Sequence, residues 1–224
     1  VLRFNIPDSF TPEFLKNEIL KLYSESNLGL NSRMRITVYR TSTGRYKPFS
    51  NDIGFIINID RIEDSKYFIK KKEVKVDLYK DYFISNQLVH SIKSNNKSIN
   101  VLASIYASEN DLDNCILLND RKMVCEFING NLFYIKNEKI YTPDLKSGCL
   151  NGVLRKNLIN IIKSNGLVIE ESQFSPFDLV SADELFITNV IQGILPVTNY
   201  RNKTYINETA IILNNLLNDF INYN

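Results

Sequence analysis

Histidine is nearly absent from this sequence: His90 is the only one in 224 residues. A histidine-based nucleophile triad would have to use it, and no G-x-S-x-G turn accompanies it. It reads as a packed or surface histidine, since a base needs a placed partner. Cysteine is almost as scarce. Cys115, Cys125 and Cys149 are odd in number, widely spaced and without a nearby histidine cluster, which disfavours both a disulfide framework and a zinc site. A reducing cytoplasm is the expected setting. Neither G-x-G-x-x-G nor G-x-x-x-x-G-K-[ST] occurs, so dinucleotide and P-loop chemistry lack their phosphate cradles.

Long apolar runs are missing too. Nothing approaches the roughly 18 residues that a spanning helix needs. The start, Val1-Leu2-Arg3-Phe4-Asn5, has neither the apolar core of a signal peptide nor an initiator Met. The expectation is a soluble chain, incomplete at its N-terminus, with no membrane partner. Charge of one sign is lacking as well: 27 Lys+Arg face 25 Asp+Glu, a net +2, too balanced to argue for a nucleic-acid partner. The run Lys70-Lys71-Lys72 reads as a solvated strand edge rather than a basic patch.

What is present is globular. With 44% hydrophobic and 23% charged residues the chain can bury a sizeable core. The spacing predicts a helix over residues 11–24, which open on Thr-Pro-Glu, then strands at 33–40 and 55–59 joined by a loop containing Thr43-Gly44-Arg45-Tyr46. The lysine run marks a boundary, giving expected domains of 1–70 and 71–224. Beyond a polar loop at 91–100, a helix enters at Asn100-Val101-Leu102-Ala103. Short strands at 115–118, 123–127, 132–135 and 139–142, with turn signals such as Asn129-Gly130, imply an antiparallel meander. A helix at 154–163, a strand at 167–170, a short helix near 178–183, a strand at 185–188 and a C-terminal helix over 207–223 complete the reading.

One phosphate cradle of a different kind stands out. In Gly148-Cys149-Leu150-Asn151-Gly152-Val153-Leu154-Arg155 a glycine-containing loop turns into a helix, so unpaired N–H groups of Val153 and Leu154 would face a dianion along the helix dipole. Alone, this is also what a bland loop-to-helix junction looks like. Order changes its weight. Asn96-Lys97-Ser98-Ile99-Asn100 comes first, then Glu126 with Asn131 and Phe133, then Thr142-Pro143 through Arg155, then Leu185-Phe186-Ile187-Thr188-Asn189 with Pro196-Val197 behind it.

This series resembles the class IV, or fold type IV, family of pyridoxal-phosphate enzymes, which holds branched-chain and D-amino-acid aminotransferases and aminodeoxychorismate lyase. The resemblance implies an α/β (α+β) fold with a small α/β domain and a larger β-rich pseudo-barrel domain carrying helices. It implies a homodimer, and pyridoxal 5'-phosphate as cofactor. Lys97 matches the lysine that bonds to the cofactor aldehyde, and Glu126 the carboxylate facing the pyridine nitrogen. Leu150 falls where an apolar side chain meets the ring, while Val153 and Leu154 match residues whose amides hold the phosphate. Thr188, Asn189 and Val190 fall in a second phosphate-facing turn. There Val190 stands where many relatives carry a hydroxyl, leaving backbone and Asn189 for the phosphate. Arg45 resembles a loop arginine offered to substrate carboxylates, and is equally readable as a solvated hairpin arginine.

Members of this family begin with a segment whose arginine grips the phosphate, and the chain is expected to start beyond it. The pattern from Thr188 to Val197, without a G-T-A turn, looks more like aminodeoxychorismate lyase, which forms 4-aminobenzoate and pyruvate on the way to folate. An amino-acid aminotransferase is the alternative. A cofactor-free binding or scaffold protein that kept the fold is a further one.

Overall fold

The computed structural model describes residues 5–26, 31–62, 64–70 and 72–222. The chain divides into two compact units, Val1–Lys66 and Tyr67–Asn224.

The first unit is a helix and a hairpin: α1 (Pro12–Ser26), β1 (Ser32–Arg40) and β2 (Ile53–Arg61). Thr11 caps α1, its hydroxyl accepting from Phe14 N–H at 3.1 Å, with Pro12 and Glu13 in the first turn. β1 and β2 pair antiparallel from Ser32 opposite Arg61 to Arg40 opposite Ile53. Register puts Met34, Ile36 and Val38 on one face with Phe55, Ile57 and Ile59. Phe14 of α1 meets Phe55 edge-on, ring centroids 5.5 Å apart. None of the described residues of this unit is buried.

The second unit is layered. One five-stranded sheet has the order β12-β11-β3-β4-β5, from β3 (Lys75–Leu78), β4 (Asn114–Leu118), β5 (Val124–Phe127), β11 (Asn199–Tyr200) and β12 (Lys203–Thr204). The other has the order β10-β9-β6-β7-β8, from β6 (Asn131–Lys136), β7 (Lys139–Pro143), β8 (Ile169–Ser172), β9 (Glu184–Asn189) and β10 (Gly193–Pro196). Four helices accompany them: α2 (Ser98–Glu109), α3 (Val153–Ser164), α4 (Pro176–Val180) and α5 (Glu208–Asn222).

Side-chain alternation explains the layers. Along β6, Leu132 and Tyr134 join a core between the sheets with Ile116, Leu118 and Val76, whereas Phe133 and Ile135 face a second core with Leu158 and Ile162 of α3 and Leu213 of α5. β9 repeats this, with Leu185 and Ile187 toward the first core and Phe186 toward the second, stacked on Phe133 at 5.3 Å. Along β4, Cys115 and Leu117 turn instead to a third core with Ala103 and Ala107 of α2. Strands buried on both faces read as continuous apolar runs, so the period of two was invisible in sequence.

Two expectations are corrected. The strand after the lysine run is no edge: β3 lies in the middle of its sheet, parallel to both β11 and β4, and Lys72 pairs with Asp113 at 2.8 Å. Lys71 lies outside the described residues. The meander is two hairpins in different sheets: β5 and β6 do not pair, an isolated bridge from Phe127 to Gly130 closing the turn between them before the chain crosses over. β11 and β12, two residues each, had no sequence signal long enough to register, and β10 was not read as a strand. The boundary falls after Lys66, because Tyr67 is bound to α5 of the large unit: its N–H donates to Asn218 Oδ1 at 3.0 Å.

All three cysteines are buried free thiols, and burial pushes those of Cys115 and Cys149 up to about 12. His90 is half-buried in the short 3-10 turn Leu88–Ser91. Among the described residues no helix is long and apolar enough to cross a membrane, and no group of three His, Cys, Asp or Glu could hold a metal ion.

Candidate active site

The large unit gathers most of the predicted residues into one continuous set of contacts. Lys97 stands at the N-terminal boundary of α2, where its carbonyl accepts the Val101 N–H at 3.0 Å. Asn100, one turn on, pins this end of the helix to the strand turn by donating to Ile128 O at 2.7 Å. Lys97 Nζ lies 3.9 Å from Glu126 Oε1, the lysine side chain 28% exposed and the glutamate 6%. Three influences favour the charged Glu126, namely the Leu150 N–H and the charges of Lys97 and Lys93. Burial outweighs them, and the carboxyl is held above its ordinary value. A buried carboxylate without a full counter-charge suits a cationic ligand group.

Glu126 Oε2 accepts the Leu150 N–H at 2.8 Å, so the loop entering α3 orients the acid. Leu150 O in turn accepts from Asn131 Nδ2 at 2.7 Å. Asn131 entered the sequence reading only as part of a spacing; here it ties β6 to that loop. Gly152, which starts α3, packs its backbone directly against Asn131 Oδ1, and a Cβ would collide with it. No side chain caps α3 at Gly152. The first-turn N–H groups, those of Val153 and Leu154 among them, have no partner within the helix. Val153 is 68% exposed while Leu154 is buried, so backbone rather than side chain is what this turn can offer.

Thr188 pairs with Asn131 across β9 and β6. Directly opposed residues share a face, and this is the face on which Phe133 and Phe186 meet α3. Thr188 Oγ1 is buried with no hydrogen-bond partner. The orphaned hydroxyl and the helix start without a side-chain cap both adjoin Asn131, and groups of this kind suit a dianion. With Glu126 and an amine nearby, this donor set fits a ligand that carries a phosphate, a cationic ring nitrogen and an aldehyde.

Asn189 folds the turn in which it stands. Its Oδ1 accepts from Ile191 and Gln192 N–H at 3.0 and 2.9 Å, and its Nδ2 donates to Gln192 Oε1 at 2.9 Å. The side chain shapes its own turn, as Asn residues commonly do, and one Nδ2 hydrogen is left beyond these bonds. Val190 is 53% exposed on the same turn. Arg45 is exposed on the loop between β1 and β2, in the other unit.

Residues 1–200 match the family described as amino-transferase class IV. The chain belongs to that family. It is 27% identical over 168 residues to aminodeoxychorismate lyase of Vibrio harveyi, covering 74% of this chain and 62% of the lyase. It is 34% identical over 113 residues to a D-alanine aminotransferase of Bacillus licheniformis, covering 50% of this chain and 40% of that enzyme. The chain thus spans less than two thirds of the curated relatives it matches. A solved aminotransferase from Brucella abortus, bound to its cofactor PLP, superposes with a TM-score of 0.82 at 13% identity, covering 96% of this chain and 77% of that one. That likeness speaks to the fold, and agrees with a mixed α/β enzyme of fold type IV.

Proposed function

We propose that this chain binds pyridoxal 5'-phosphate in the large unit and acts on an amino substrate, releasing pyruvate and 4-aminobenzoate from 4-amino-4-deoxychorismate. Membership of the class IV family indicates the cofactor. The observation that carries the site assignment is the Lys97–Glu126 pair, an amine 3.9 Å from a buried carboxylate.

When bound, the cofactor supplies an electron sink for negative charge that develops beside its ring. The chain's residues do the rest. Lys97 would hold the aldehyde through Nζ and, as a free amine, would take and return protons at that atom. Glu126 keeps a carboxylate for the ring nitrogen, held in place by the Leu150 N–H on Oε2. Charge pairing there offsets the desolvation that Glu126 otherwise suffers. The first-turn N–H groups of α3, the Thr188 hydroxyl and the backbone of the turn at Asn189 and Val190 hold the phosphate. Arg45 is the proposed contact for a substrate carboxylate.

Lyase is favoured because the match to the Vibrio enzyme extends over 74% of this chain, and because Thr188-Asn189-Val190 lacks a G-T-A turn. Incubation with aminodeoxychorismate should yield pyruvate in step with 4-aminobenzoate; absence of pyruvate overturns the lyase reading. The D-alanine aminotransferase match favours a second reading. Conversion of bound cofactor to its pyridoxamine form by D-alanine or a branched-chain amino acid would select it instead.

A further inference from the structure

Tyr67, the first residue of the large unit, is tied to that unit on every side. Its N–H donates to Asn218 Oδ1 at 3.0 Å, and its carbonyl accepts from the side-chain amides of Asn214 and Asn218 at 3.0 and 2.9 Å, all from α5. Its ring packs against the core shared by α3 and α5. Its hydroxyl then reaches the turn between β9 and β10 and donates to Val190 O at 2.7 Å. At the far end of this turn Gly193 is buried with φ +70°, and a Cβ there would lie 2.5 Å from the Tyr67 ring.

The turn is therefore fixed twice. Asn189 folds it from within through the Ile191 and Gln192 N–H groups. Tyr67 braces it from outside, one end by the hydroxyl on Val190 and the other by the ring on Gly193. Neither brace is needed to close a short β-connection, whose geometry its own residues set. Burial raises the Tyr67 phenol above its ordinary value, so the O–H remains a donor well into alkaline solution.

We infer that Tyr67 is a positioning residue that holds the Asn189–Gly193 turn in the form that receives the cofactor phosphate. This rests on the phosphate-facing role proposed above for that turn. Tyr67 itself touches neither cofactor nor substrate; it acts through the Val190 carbonyl and the Gly193 backbone. A turn set before binding need not be ordered at the moment of binding, and that difference appears as affinity.

The test titrates the full chain, in wild-type, Tyr67→Phe and Gly193→Ala forms, with pyridoxal phosphate and with pyridoxal, following absorbance. Tyr67→Phe removes one hydroxyl-to-carbonyl bond and should weaken pyridoxal phosphate about fivefold. Pyridoxal, which has no phosphate to meet the turn, should bind both proteins alike. Gly193→Ala, strained at positive φ and pressed against the ring, should show a larger loss with the same selectivity. Equal binding of pyridoxal phosphate by wild type and Tyr67→Phe overturns the inference while leaving the cofactor site standing. An equal loss for both ligands also overturns it, since that is what general loosening would give. A wild-type chain that binds neither ligand overturns the proposed function itself, and this inference with it.

Discussion

The two units of this chain use the same materials to different depth. Residues 1–66 set six apolar side chains on one face of a hairpin and lay one helix near them, yet none of their described residues is buried. The large unit stacks two sheets and flanks them with helices, so that single strands such as β6 and β9 are buried on both faces. A two-stranded ribbon is marginal alone, whereas a strand enclosed on both sides is fixed along its whole length. Every residue of the Lys97–Glu126–Leu150–Asn131–Thr188 set belongs to the enclosed unit. The site proposed here, which has to hold an amine, an acid and an anion in fixed relation, suits such a scaffold.

The largest expected effect tests where the chemistry resides. Lys97→Ala should lower turnover about a thousandfold or more and abolish the cofactor's yellow absorbance. Thermal unfolding of the ligand-free chain should barely change, since the 3.9 Å pair is loose. Turnover within tenfold of wild type would break the assignment.

Packing gives the next contrast. Phe186 is fully buried and stacked on Phe133, so Phe186→Ala should cost about 3–5 kcal/mol in denaturant unfolding. Ile36, 37% exposed on the hairpin, should cost about 1 kcal/mol or less on the same change. Similar costs at the two positions would erase the distinction between the units.

The smallest effect concerns charge. Because burial raises Glu126, the folded chain binds more protons than the unfolded one between the ordinary carboxylate value and the raised one. The contribution of this group to stability is therefore lost as pH rises through that window. Glu126→Gln cannot ionise, so the ligand-free variant should show a flatter fall of stability with rising pH while binding pyridoxal phosphate more weakly. A steeper fall in the variant would reverse the sign argued here.

Much of this was legible beforehand, for identifiable reasons. The helix at Pro12–Ser26 announced itself by its Thr-Pro-Glu start, β1 by its alternation and β2 by the apolar run from Phe55 to Ile59. The order of the segments around Lys97, Glu126, Gly152 and Thr188 pointed to the residues that the structure links through Leu150 and Asn131. What sequence concealed was lateral. Nothing local says that β3 is central, that β5 and β6 separate into different sheets, or that Asn131 reaches Leu150 O. Asn189 was read toward a phosphate, while its folding of its own turn through Ile191 and Gln192 was not read from the sequence. Tyr67 gave no signal, because its partner Val190 is 123 residues away.

The central claim is that Lys97 is the amine that holds the cofactor. Loading the full chain with pyridoxal phosphate, reducing it with borohydride and mapping the modified peptide by mass tests this directly. The account predicts a stable adduct on Lys97 and on no other lysine. An adduct on the exposed Lys93, whose charge also acts on Glu126, or none at all, would contradict it.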